Sequence, residues 1–133
     1  MTHLLRAALL IMCALFLASC RQSAQPTPTP DPDIQLEWLP AEKPFRVGFD
    51  ALIFTLKNAQ AEPIRGALIE VRGDMSHAGM VPVDGMAEGG TEDGRYVVPF
   101  EWTMGGDWTL TVRATLPDGR STQRRYAVQV RAQ

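Results

Sequence analysis

The sequence has almost no cysteine, a single histidine past its third residue, no helical period and no excess charge of either sign. Each shortage removes a class of explanation. The only cysteines, Cys13 and Cys20, lie in the first twenty residues. Residues 21–133 therefore have neither thiol nor disulfide and must be held together by their core alone. Beyond His3 the only histidine is His77, which speaks against a multi-imidazole metal site. Ser76 adjoins His77, but neighbours on an extended chain point to opposite sides, and no motif brings Lys43 or Lys57 to a serine, so no enzyme is expected. The formal net charge is only -2 and the basic residues are scattered apart from Arg124-Arg125, which leaves no footprint for nucleic acid. The longest apolar run, Ala7 to Leu17, is too short to span a bilayer as a permanent helix, and no second run approaches spanning length.

That run is nevertheless informative. Arg6 precedes it and Leu17-Ala18-Ser19-Cys20 follows it, the order of an export signal. The tetrad resembles a bacterial lipobox, in which the cysteine is lipidated and becomes the first residue of the mature protein. Residues 1–19 are thus expected to be a lipoprotein signal peptide, with Cys20 an anchor and not a ligand; an ordinary secretory signal cut elsewhere is the alternative. Arg21 stands where an aspartate would argue for inner-membrane retention in a two-membrane cell. Residues 20–33 form a spacer with prolines at 26, 28, 30 and 32 and nothing to pack a core. Such a segment extends as polyproline at roughly 3 Å per residue. Residues 34–133 are then one small domain, membrane-anchored outside the cytoplasm at the cell surface or in the periplasm.

Strand signals dominate from Ile34 onward. Trp108, Leu110, Val112, Ala114 and Leu116 alternate with Thr109, Thr111, Arg113 and Thr115, so one face is buried and the other wet. Pro117-Asp118-Gly119-Arg120 supplies hairpin chemistry, and Tyr126, Val128 and Val130 continue the alternation. Segments 34–39, 49–57, 67–73 and 95–102, with a short irregular piece near Met86, bring the count to six or seven antiparallel strands. The expected fold class is all-β, an immunoglobulin-like β-sandwich; a small barrel is the other arrangement that the pattern allows. Ile53 falls on the face of its strand away from the core, and Trp38 and Trp102 are expected near the surface. An apolar patch there would mark a protein partner.

The methionines gather in one region. Past the signal they are Met75, Met80, Met86 and Met104, and His77 lies among them. Asp74 to Met86, with its glycines and Pro82, reads as a loop across one end of the sandwich. Thioethers and an imidazole outside the cytoplasm are the soft donors that copper(I) takes, without strong angular demands. Thioethers remain neutral at every pH and form no disulfides. Met75, His77 and Met80 are the candidate ligands, with Met86 or Met104 as auxiliaries. Methionine is also a flexible gap-filler, so the same residues can simply pack the open end of a sandwich. Asp84, Glu88, Glu92 and Asp93 are acidic residues in or beside a glycine-rich connection, but their spacing does not match a calcium-binding EF-hand loop.

Gly73-Asp74-Met75-Ser76-His77-Ala78-Gly79-Met80 resembles the Met/His-rich loop of the YtkA-like family, which is related to FixH-like proteins. Gly94-Arg95-Tyr96 resembles that family's strand entry, and Phe100, Met104-Gly105-Gly106 and Trp108 to Val112 its closing strand. The resemblance implies a small exported or membrane-tethered β-sandwich that handles copper, and a copper-receiving or other envelope protein as partner. Members frequently carry more histidine and methionine in this loop, so copper(I) is the state the resemblance carries over. The competing expectation is a metal-free immunoglobulin-like interaction module of the cell envelope.

Overall fold

The computed structural model describes residues 30–41, 43–77 and 79–132. The expected signal peptide, Cys20 and most of the spacer lie outside these residues. All regular structure among the described residues is β: β1 (Gln35–Leu39), β2 (Gly48–Lys57), β3 (Leu68–Met75), β4 (Val83–Glu88), β5 (Arg95–Trp102), β6 (Gly106–Thr115) and β7 (Ser121–Val130). They form two antiparallel sheets, ordered β1-β2-β5 and β4-β3-β6-β7. This is the expected immunoglobulin-like sandwich, with seven strands.

Side-chain alternation sets the layers. On β5, Tyr96, Val98, Phe100 and Trp102 are buried while Arg95, Val97, Pro99 and Glu101 are exposed. Burying those four against Trp108, Leu110 and Val112 of β6 drives the two sheets together. Pro99 has no N–H to give a ladder, which an edge strand tolerates, and β5 is an edge.

Two expectations need correction. Trp102 is not near the surface. It is 0% exposed, with its ring centre 4.8 Å from that of Phe100, 5.2 Å from Phe45 and 5.4 Å from Trp108. Trp38 is half-buried and stacks on Phe45 at 5.5 Å. The cause is parity, because Trp102 shares the inward face with Tyr96 and Trp38 shares it with Leu36. The stretch 74–86 is also less of a loop than its glycines suggested. β3 runs on to Met75 and β4 begins at Val83, leaving only residues 76–82 between them. Gly73 and Gly85 sit inside strands, where neighbours approach too closely for a side chain. A Cβ at 73 would lie 2.5 Å from the Phe100 ring, and one at 85 would lie 2.6 Å from the Pro99 carbonyl oxygen.

Tyr96 ties the connection between β2 and β3 to the core. Its hydroxyl donates to the Ile64 carbonyl at 2.9 Å and accepts from the Ala67 N–H at 3.2 Å. Tyr96→Phe leaves both backbone groups without this partner and is expected to cost about 1–3 kcal/mol. Burial also raises the Tyr96 pKa above its ordinary value, opposed in part by the bond from Ala67. Above about pH 10 the unfolded chain ionises at this residue before the folded one. The Tyr96 contribution is therefore complete below that pH and is lost as pH rises through the higher folded value. Urea denaturation at pH 9 and pH 11 should show a smaller alkaline loss for Tyr96→Phe than for the parent. Tyr126, also raised by burial, is common to both chains, so the difference isolates Tyr96.

Candidate metal site at one pole of the sandwich

The two ends of the sandwich differ in chemistry. The described chain enters at one end, where the Asp31 N–H donates to the Ser121 carbonyl at 3.2 Å and Asp31 pairs with Arg120 at 3.4 Å. β3, β5 and β7 all run away from that end, and β4 and β6 start at the other. The far pole therefore carries the β3–β4 loop and the β5–β6 turn, and with them Met75, His77, Met80 and Met104.

Met75 ends β3 on its inward face, directly across from Trp108 of β6. It is half-buried and packs against the core. Its methyl group fills the space beside Gly106, where a Cβ would lie 2.7 Å away. Gly106 also has a φ of +136°, a conformation that side chains disfavour, so position 106 accommodates Met75 on two counts. The chain then bends at Ser76 and His77, so Met75 and His77 are not aligned by a common strand. A turn follows: the Met80 N–H donates to the His77 carbonyl at 3.4 Å, with Gly79 at φ +88°. This returns Met80 to the core, half-buried, while His77 remains exposed. Val81 beside it is 79% exposed.

Met104 belongs to the same pole by a different route. The Trp108 indole N–H donates to the Met104 carbonyl at 3.0 Å and pins the β5–β6 turn over the core. The Met104 side chain is 43% exposed. Met86 does not join this group. It pairs with Glu70 in mid-strand, on the outward face opposite to that of Met75, and lines a groove with Glu70, Arg72 and Arg113. Met75 lies five residues beyond Glu70 on β3, or roughly 17 Å along the strand. The register therefore places Met86 apart from the loop's end of the molecule, while the fold brings Met104 to it.

The donors at this pole suit a soft cation. Among the described residues, no three His, Cys, Asp or Glu side chains gather into a cage. Asp74 and Asp84 are instead drawn to Arg72, at 3.7 and 3.5 Å on the outer face. The three thioethers and one imidazole at this pole are neutral donors of the kind that a soft monovalent ion takes. Sequence reasoning missed the supporting residues. Gly106 and Trp108 hold Met75 and Met104 in place, and the adjacent pair Gly105-Gly106 was the available signal.

Comparison with curated proteins returns no match. Among solved structures, the chain is similar to the PKD domain of human VPS10 domain-containing receptor SorCS2, with 18% identity, 78% of this chain and 76% of that chain covered, and a TM-score of 0.43. It is also similar to murine CRIg, with 14% identity, 75% and 98% covered, and a TM-score of 0.40. The family model described as YtkA-like matches residues 33–113, more than half of the sequence and the whole of the methionine loop, and the chain belongs to the YtkA-like family.

Proposed function

We propose that this protein is a lipid-anchored β-sandwich module outside the cytoplasm that carries copper(I) as cargo, without catalysing a reaction of its own. The observation that supports this reading is the gathering of Met75, His77, Met80 and Met104 at the pole farthest from the chain's entry. In this reading Met75 and Met80 are the inner ligands, because they are already half-buried beside the core, and His77 and Met104 are the accessible ones. Neutral thioether ligation at an exposed pole favours handing the ion to a copper-receiving envelope protein over storing it. Lipidation at Cys20 and the proline spacer would hold that pole away from the membrane, toward such a partner.

One observation favours a second reading. Met75 and Met80 pack on the core, as expected of a metal-free interaction module whose methionines serve as filling. The test must therefore remove the sulfur and keep the volume. Leu in place of Met conserves volume and usually costs less than about 1.5 kcal/mol. In a copper(I) competition titration against a coloured chelator, the parent domain is expected to bind one ion. The combined variant Met75→Leu, His77→Ala, Met80→Leu should bind at least about 100-fold more weakly, with little change in Tm. Met86→Leu should bind as the parent does. A parent domain that fails to compete would leave the interaction module as the reading.

A further inference from the structure

The outer face of the three-stranded sheet departs from the alternation that governs the rest of the molecule. Register fixes its rows. Leu39, Ile53 and Val97 lie side by side across β1, β2 and β5. Ala51 and Pro99 form the next row toward the methionine pole, and Phe49 lies beyond them beside Glu101. Phe49 is 86% exposed, Val97 49% and Leu39 40%. A solvated sheet face normally carries polar residues at these positions, and a contiguous apolar patch marks an interaction surface. Its rim carries both signs. Glu37 on β1 and Arg95 on β5 flank Thr55 toward the entry end, and Lys43 and Arg46 line a groove with Phe49 on the β1 side, opposite Glu101.

We infer that this face pairs with the same face of a second copy, about a two-fold axis that runs along β2. Such an axis lays β1 of one copy over β5 of the other at the same height. Leu39 then meets Val97 of the second copy, while Ile53, Ala51 and Phe49 meet their own equivalents on the axis. Glu37 faces Arg95 of the second copy, and Glu101 faces the Lys43 and Arg46 groove. Every one of these contacts is apolar on apolar or acid on base, which is the self-complementarity that an isologous interface requires. Among the described residues Arg95 makes one ion pair, a long one of 3.9 Å with the exposed Asp93. Lys57 is the like-charged pair that the axis brings together, at the entry end of the face, where its long side chain can turn the ammonium out to solvent.

A surface rimmed by both signs fits a second copy better than it fits an anionic membrane. The axis also makes both copies enter at the same end, so two chains tethered to one membrane can pair without strain, with their methionine poles side by side. Three strands about 4.8 Å apart and some 27 Å long outline roughly 400 Å² per copy, below the size of stable specific interfaces and in the range of weak, transient ones. The pair is therefore weak in free solution and is favoured by the effective concentration that a shared membrane supplies. It needs no metal, so it fails or stands independently of the copper reading.

The test uses the full chain in a bacterial envelope, with Ala51→Cys as the bridging point. Stacked sheets lie about 10 Å apart, beyond the reach of a disulfide, so a short bis-maleimide joins the thiols. The parent chain, with Cys13 and Cys20, sets the background. Ala51→Cys is expected to give a band at twice the chain's mass, and Gln123→Cys on the outer face of the other sheet to give none. In the Ala51→Cys background, Arg95→Glu alone and Glu37→Arg alone should each reduce bridging roughly tenfold, because each pairs like charges across the axis. The two variants expressed together, with tags of different size, should restore it as the mixed pair only. Absence of the double-mass band, bridging indifferent to the charge changes, or a band at another mass would overturn the inference.

Discussion

Trp108→Ala is expected to lower Tm by on the order of 15–25 °C, from a loss of about 3–5 kcal/mol. Trp108 is 1% exposed on the central strand β6, with ring centres of Trp102 at 5.4 Å and Phe100 at 6.3 Å and Met75 directly across the ladder. Truncation leaves a cavity beneath the whole methionine pole, and with no disulfide in residues 21–133 nothing covalent limits the collapse. A domain of this size has about 5–15 kcal/mol in total, so the variant stands near the edge of folding. Trp108→Phe separates the two roles of the residue. It keeps most of the buried surface and removes only the N–H that holds the Met104 carbonyl. That carbonyl lies in an exposed turn where water can replace the donor, so a small change in Tm is expected, with faster amide exchange across residues 103–106. Thermal unfolding of Trp108→Ala within about 1 kcal/mol of the parent would show that the pole does not rest on this ring.

The fold was legible wherever apolar side chains recur at every second position, even where, as at Val97 and Pro99, the opposite face is apolar too. Residues 107–115 and 95–102 have apolar side chains at every second position, and both lie in strands with those side chains buried. β4 was obscured because its inward residues are Val83, Gly85 and Ala87, which are small where the sheets crowd, while Met86 faces out. A strand that alternates small-inside with large-outside reads as a glycine loop when the facing strand is unknown. The register of β4 also decides where Met86 lies relative to the loop. Met86 belonged to the cluster only so long as 74–86 was a loop, and the register of β4 with β3 moves it to the other face of the sheet.

Nearness in sequence had the opposite effect for Met104. It lies well beyond His77 in the chain, and only the pairing of β3 with β6 and the turn before β6 bring it to the same pole. The outer face was legible in part. Ile53 announced itself by parity, but Phe49, Val97 and Leu39 form one surface only once the register of three strands is fixed. Sequence gives each strand its two faces; which residues share a patch is a property of pairing.

Gly85→Val sets two physical effects of opposite sign against each other. Intrinsic strand preference favours the change, since glycine weakens a strand interior and valine suits one, by up to about 1 kcal/mol. Packing opposes it. A Cβ at this position would lie 2.6 Å from the Pro99 carbonyl oxygen, 3.0 Å from Val98 and 3.3 Å from Phe100, and the first of these is backbone that cannot turn aside. β4 would have to move off β5, opening the side on which the two sheets meet. Overpacking of this kind costs typically about 1–3 kcal/mol, and the two extra methyl groups place valine toward the upper end, so a net loss of about 1–2 kcal/mol is expected. Met86→Val changes the same strand one residue on, at a side chain 65% exposed on the opposite face, and should stay within about 0.5 kcal/mol of the parent. Because β4 leads back into the loop that carries His77 and Met80, Gly85→Val should also raise amide exchange through residues 79–83, which Met86→Val should not. Urea denaturation of the two variants decides which effect governs: a Gly85→Val chain as stable as its parent would mean that β4 yields freely, and that the glycine is there for some reason other than the approach of β5.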